Sequence, residues 1–264
     1  MNDLKTFLQL NGIKLNTDLG QHFLKDETVL DKIVEAGRIQ PEDHIVEIGP
    51  GVGVLTAKLL EKANRVTAIE LDKRMIPLLR NYTNYNEKLT IINENALQVP
   101  MPEEPYKVVA NIPYHITSPL LRHAFLESKV SPKSMTLLIQ KEVADRICNT
   151  KDAGMLTIIV ALFGKATKVV NVPPKAFIPP PKVDSAVIHI ECYDKPLVDG
   201  ETLKQVMKLT KIGFSMKRKM LSNSFGTFPG GLELLSAAGI DPTRRPQTLS
   251  VDEWVALAKV AEQN

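Results

Sequence analysis

The chain has 264 residues, 44% hydrophobic and 24% charged, with a formal net charge of +3. That balance excludes a disordered or fibrous chain, and the length suits one large domain with a smaller one. No apolar run reaches the roughly 18 residues of a membrane span, and Met1 to Leu10 lacks a basic-then-apolar secretory pattern, so a cytoplasmic protein that makes no membrane contact is expected. In chain order, Asp26 is placed to cap a helix through Val29, Leu30, Ile33 and Val34 that stops at Gly37. Residues 44–48 read as a buried strand, followed by a glycine-rich loop and a helix through Leu55, Leu59 and Leu60. Residues 65–69 form a second strand, and Asp72 is expected to cap a helix carrying Met75, Leu78 and Leu79. Strands follow at 89–92, 107–110 and 135–139, with a helix opened by Thr117, Ser118 and Pro119 before the last. This alternation predicts an α/β fold on a mostly parallel open sheet.

Helices are expected at 141–148 and 155–163. Strands at 167–171 and 186–191 flank a proline-rich loop, 173–181, and are placed to form an antiparallel edge of the same sheet. Asp194-Lys195-Pro196 reads as a linker. Helical patterns follow at 203–214, 216–224, 232–238 and 251–260. The expected division is therefore a domain of residues 1–193 and a small helical domain of 194–264.

The loop after the first strand carries Gly49, Gly51 and Gly53 in the spacing G-x-G-x-G. Glycine there permits positive φ and close approach of backbone to a ligand. The dinucleotide fingerprint needs glycine at position 54, which is Val54. The loop thus suits a nucleoside cofactor without phosphates. Glu70 ends the second strand, where a carboxylate can accept from both hydroxyls of a ribose. Asn95 follows the third strand and is placed to face an adenine ring. A surface glutamate and a turn asparagine are the plainer readings of those two positions.

Asn111-Ile112-Pro113-Tyr114 follows the fourth strand. It matches the [Asn/Asp/Ser]-x-Pro-[aromatic] pattern of methyltransferases acting on exocyclic amines. Such an amine is a weak nucleophile because its lone pair is delocalised into the ring. Two acceptors aimed at its hydrogens, the Asn111 side-chain oxygen and the Ile112 carbonyl, stabilise the positive charge that develops on nitrogen. Pro113 biases Ile112 toward an extended backbone. Tyr114 offers a face for the base, a stack worth roughly 1–3 kcal/mol. Phe177, in the stiff proline-rich loop, is a candidate for the opposite face; a core phenylalanine is the plainer reading.

Lys204, Lys208, Lys211, Lys217, Arg218 and Lys219 lie between Glu201 and Leu221 with Glu201 as the one acid. A solvated helix face and a phosphate-contacting face both fit that run. Cys148 and Cys192 lack metal-ligand spacing, so no metal is expected and both read as buried apolar residues in a reducing compartment.

Taken together, several segments resemble one family, the KsgA-type small-subunit rRNA adenine dimethyltransferases. They are Gly20-Gln21-His22-Phe23-Leu24, Val46-Glu47-Ile48-Gly49-Pro50-Gly51, Ile69-Glu70-Leu71-Asp72, Asn111-Ile112-Pro113-Tyr114, Gln140-Lys141-Glu142-Val143, Pro179-Pro180-Pro181-Lys182-Val183-Asp184-Ser185-Ala186 and Lys217-Arg218-Lys219-Met220-Leu221. They run in the family's order over nearly the whole chain. The resemblance implies a Rossmann-like class I methyltransferase that uses S-adenosylmethionine to dimethylate N6 of two adjacent adenines near the 3′ end of small-subunit rRNA. It implies action on the immature small ribosomal subunit. It also implies cofactor contacts at His22, Leu24, Gly49, Glu70, Asn95 and Asn111, with Gln21 and His22 at the methionine end. The sequence departs from the family's usual Asn at position 22 and usual Asp at position 95. Oligomeric state is not legible, and a monomer is the default. A large-subunit rRNA adenine methyltransferase of the resistance type, and a non-catalytic RNA-binding factor on the same fold, are the alternatives. The proline-rich loop and the Lys217-Arg218-Lys219 segment favour the small-subunit type, and the intact Asn111-to-Tyr114 motif favours catalysis.

Overall fold

The computed structural model of the protein describes residues 4–10, 12, 20–149, 153–216 and 218–263. The chain divides into two compact units. One holds the described residues up to 144 together with 167–192; the other holds 145–166 and the residues from 193 onward. The segment 145–166, placed by the sequence reading in the first domain, thus groups with the C-terminal helices.

The elements in chain order are α1 (Leu4–Leu10), β1 (Phe23–Leu24), α2 (Glu27–Ala36), β2 (His44–Ile48), α3 (Val54–Lys62), β3 (Arg65–Ile69), α4 (Met75–Tyr82), β4 (Leu89–Ile92), β5 (Lys107–Asn111), α5 (Thr117–Arg122) and β6 (Ser134–Gln140). There follow α6 (Lys141–Cys148), α7 (Met155–Phe163), β7 (Gly164–Val172), β8 (Phe177–Ile178), β9 (Ser185–Cys192), α8 (Gly200–Ser215), α9 (Leu221–Phe225), α10 (Gly231–Ala237) and α11 (Val251–Glu262).

The large sheet has the order β4-β3-β2-β5-β6-β9-β7. Its pairs from β4 to β6 are parallel, and β9 runs antiparallel to β6. Every residue of β2, and β6 up to its last residue, is buried, which is why these strands are runs of apolar residues rather than alternations. The chain moves outward from β2 through β3 to β4, then returns to place β5 on the other side of β2. That reversal leaves a crevice outside the carboxyl ends of β2 and β5. A second, two-stranded sheet pairs β1 with β8, Phe23 opposite Ile178 and Leu24 opposite Phe177.

Asp26 caps α2 as expected, its carboxylate accepting the Val29 N–H. Asp72 does not cap α4. That helix starts after Arg74, and the Asp72 carboxylate takes both the Arg74 N–H, at 3.1 Å, and its guanidinium. Cys148 and Cys192 are half-buried rather than buried. No helix among the described residues is long and apolar enough to cross a membrane.

In the helical unit, Trp254 of α11 is fully buried and stacks on Phe214 with ring centroids 5.9 Å apart. Gly213 of α8 is required there, since a Cβ would sit 2.6 Å from the Trp254 ring. Asp199 caps α8, and Ser250 with Glu253 closes a capping box on α11. The helix expected over 216–224 is not continuous. Residues 218–220 lie in a turn, and α9 begins only at Leu221, whose N–H is taken by the Arg244 carbonyl at 2.7 Å. Lys217 lies outside the described residues.

Candidate active site

The cleft at the carboxyl ends of β2, β3 and β5 has about 1140 Å³ of open space, solvent included. Gly49 and Gly51 border it, and Gly53 follows as the residue before α3; all three lie in the left-handed region, with φ of +67°, +58° and +101°. At Gly51 the requirement is also steric: a Cβ would lie 2.2 Å from the Phe23 ring of β1. The backbone N–H of Gly51 donates to Glu70 at 3.0 Å, and the Asp72 N–H donates to the same carboxylate at 2.8 Å. Burial pushes the Glu70 carboxyl above the usual carboxylate range. Asn93 donates from its side chain to the Glu70 carbonyl at 2.7 Å, tying the ends of β3 and β4 together.

Among the described residues four carboxyl side chains border the cleft, Glu47, Glu70, Asp72 and Glu94, while no Lys or Arg does. That donor set rejects phosphate and suits a cationic nucleoside. The cleft therefore fits S-adenosylmethionine, whose sulfonium is positive and whose nucleoside carries no phosphate. Asp72 is ionised: the Arg74 guanidinium beside it, helped by a 2.9 Å hydrogen bond from Gln21, holds its carboxyl down at about 2. Glu47 differs. It is 1% exposed, and burial pushes its carboxyl up to about 8 against the pull of a 2.6 Å hydrogen bond from Thr56.

Asn111 is the last residue of β5. Its Nδ2 donates to the His22 carbonyl at 3.2 Å, and its Oδ1 takes no donor among the described residues. None of the loop hydrogen bonds among the described residues uses the Ile112 carbonyl. The Tyr114 ring borders the cleft, and its hydroxyl shares a 2.6 Å hydrogen bond with Ser185 of β9. His22 lies nearly parallel to Tyr114, with 6.3 Å between ring centroids and 15° between planes. Its Nδ1 donates to the Pro179 carbonyl at 2.8 Å. The Asn95 side-chain oxygen accepts the Leu97 N–H at 3.0 Å.

Gln21, His22, Leu24, Gly49, Gly51, Glu70, Asn95, Asn111, Ile112, Pro113 and Tyr114 all border this one cleft. Phe177 does not. It is 2% exposed and packs with Leu24, Val29 and Leu30 in the core, so its ring is not available to face a base. Pairing of β8 with β1 turns it inward, and the ring parallel to Tyr114 is His22 instead. Sequence reasoning missed Glu47, Thr56 and Ser185 as site residues. Alternation along β2 carried no signal for Glu47, because that strand is buried on both faces.

Comparison with known proteins agrees with this geometry. A family model described as "Ribosomal RNA adenine dimethylase" matches residues 12–263. The chain belongs to the ribosomal RNA adenine dimethylase family. It is an S-adenosylmethionine-dependent rRNA adenine dimethyltransferase with the class I methyltransferase fold. Among its relatives, a ribosomal RNA small subunit methyltransferase A from Clostridium acetobutylicum is 44% identical over 263 residues, covering 94% of each chain. A crystal structure of a dimethyladenosine transferase from Plasmodium falciparum is 32% identical with a TM-score of 0.77, covering 89% of this chain and 96% of that one. The 23S rRNA methyltransferase ErmE is 26% identical with a TM-score of 0.74, covering 91% of this chain and all of the other. The α/β architecture and the family expected from the sequence are thus both borne out.

Proposed function

We propose that this dimethyltransferase acts on two adjacent adenines near the 3′ end of small-subunit rRNA, placing two methyl groups on each N6 during assembly of the subunit. The observation that carries the catalytic reading is the anchored Asn111 amide. With Nδ2 held by the His22 carbonyl, the group left for the cleft is the oxygen. Asn111 and the Ile112 carbonyl then act as paired acceptors for the two hydrogens of an adenine amine. They favour a pyramidal nitrogen and stabilise the charge it gains. Tyr114 supplies the stacking face, held in place by Ser185. Pro113, with φ −56° and ψ 130°, keeps the turn rigid between acceptor and ring.

S-adenosylmethionine supplies, when bound, an electrophilic methyl carbon on a sulfonium. Gln21, His22, Leu24, Gly49, Gly51, Glu70, Asn95 and Asn111, which all border the cleft, would hold it, with Glu70 assigned to the ribose and Asn95 to the adenine. The small subunit is favoured as partner by identity, 44% to the small-subunit relative against 26% to the 23S enzyme.

RNA contact falls to the second unit. Lys204, Lys208 and Lys211 are exposed on one face of α8, opposite the buried Val206, Leu209 and Gly213. Arg218 and Lys219 are exposed in the turn that follows. The protein works in the cytoplasm as a monomer. The test is methyl transfer from labelled cofactor to unmodified small subunits and, separately, to large subunits, with the modified bases mapped. Label confined to two neighbouring adenines of the small subunit is expected. Label in the large subunit alone would transfer the protein to the resistance type.

A further inference from the structure

Among the described residues, Glu47 is the buried carboxyl of the cleft with the least to offset its charge; Glu94, which also borders the cleft, is exposed to water. Asp72 has Arg74 and Gln21, and Glu70 has two backbone N–H groups. Glu47 has a single hydroxyl, Thr56 from α3, and sits at 1% exposure just before the glycine loop. The charged group acting on it, just past the end of the neighbouring strand β3, is another acid, Glu70. A carboxylate so placed is costly to ionise unless a cation arrives.

We infer that Glu47 is protonated while the cleft is empty and gives its proton to solvent when the sulfonium cofactor binds, so that it senses the charge of the occupant. The inference rests on the cofactor assignment above. At neutral pH S-adenosylmethionine carries one positive charge more than S-adenosylhomocysteine, the thioether left after transfer. The ionised form of Glu47 therefore favours the charged methyl donor. Once the methyl has gone, the occupant has one positive charge fewer, the α-ammonium remaining, and the carboxylate is less well compensated. Glu47 takes a proton back from water, and the cleft loses its preference for what it holds. Its elevated carboxyl, at about 8, places this exchange in the neutral range. A carboxyl with an ordinary value would already be ionised there and would exchange nothing.

The test is calorimetric titration of the full chain near pH 7 with each ligand in two buffers of different ionisation enthalpy, which counts protons released per site. The wild type is expected to release about 0.5–1 proton more on binding S-adenosylmethionine than on binding S-adenosylhomocysteine. Glu47→Gln keeps the acceptor for Thr56 and removes the ionisation. In it the excess should vanish, and the preference for donor over product should fall roughly 3–30-fold. Thr56→Val serves as a second probe: losing its donor, the carboxylate is harder to form, and the pH midpoint of proton release should move up. Equal release by wild type and Glu47→Gln, or a midpoint indifferent to Thr56→Val, overturns the inference. Absence of binding heat with both ligands would instead strike the cofactor assignment.

Discussion

The cleft of the first unit and the basic face of the second spread their work in opposite ways. In the cleft each task falls to one residue fixed by backbone. Gly51 has a φ that side chains avoid and no room for a Cβ, and Asn111 is tied by its own amide to a neighbouring carbonyl. On α8 the lysines share one exposed stripe, Lys204 with the Glu201 carboxylate 3.3 Å from its ammonium. Single substitutions should therefore be severe in the first region and mild in the second, where several must be removed together.

The largest effect that sharpens this contrast is expected from Asn111→Ala. It should lower kcat by about 10²–10³-fold, as removal of a preorganised hydrogen-bonding group does elsewhere, while leaving binding to the ribosomal particle intact. Undiminished methyl incorporation would break the concentrated side of the comparison. On the distributed side, each of Lys204→Ala, Lys208→Ala and Lys211→Ala should make the slope of log affinity against log salt shallower by about one, and the triple variant by about 2–3. A single lysine carrying the whole salt dependence would erase the distinction.

Gly51→Ala should destabilise the protein by roughly 1–3 kcal/mol, since the Phe23 ring must give way and φ is strained, and melting curves will read it. Glu47 offers a pH-dependent version. Burial raises its carboxyl from the ordinary 4.5 to about 8, so the native state holds its proton longer than the unfolded chain does. Stability is lost as pH rises from about 4.5 to 8 and levels off above that. Glu47→Gln should then raise Tm most above pH 8 and not at all near pH 4. The smallest effect is expected from Asn95→Asp. The Asn95 oxygen already caps the Leu97 N–H, which leaves Nδ2 as the outward group. An aspartate keeps that cap and offers a second oxygen, so cofactor affinity should hold or rise by no more than about tenfold. A marked loss by calorimetry would remove position 95 from the cofactor site.

What was legible in the sequence follows from local physics. Strands β2 to β6 announce themselves as short apolar runs, and in a parallel sheet their carboxyl ends gather at one edge. Knowing the strand ends at Ile48, Ile69 and Asn111 was enough to assemble most of the cleft. What failed was long-range. The pairing of Phe23–Leu24 with Phe177–Ile178 joins segments more than 150 residues apart, and it buries the ring expected to face the base. The break before α9 was hidden because Lys and Arg are good helix formers. There the N–H groups of Leu221 and Ser222 bond to the carbonyls of Arg244 and Pro242, a tertiary contact that overrides propensity. The membership of 145–166 in the helical unit was equally hidden. α7 is buried at Ile158, Ile159, Val160 and Leu162, almost all round, and such a helix does not advertise which neighbours enclose it.

The tether between Asn111 and the His22 carbonyl has a consequence for when the reaction stops. Pinned oxygen-outward, the amide can only receive hydrogens. In the proposed role, an unmodified adenine would bring two to it and its partner carbonyl, a singly methylated one would bring one, and the finished base none. The grip slackens by a step at each turnover, and a fully methylated nucleotide has nothing left by which to be held. The site keeps its own tally and lets go unprompted.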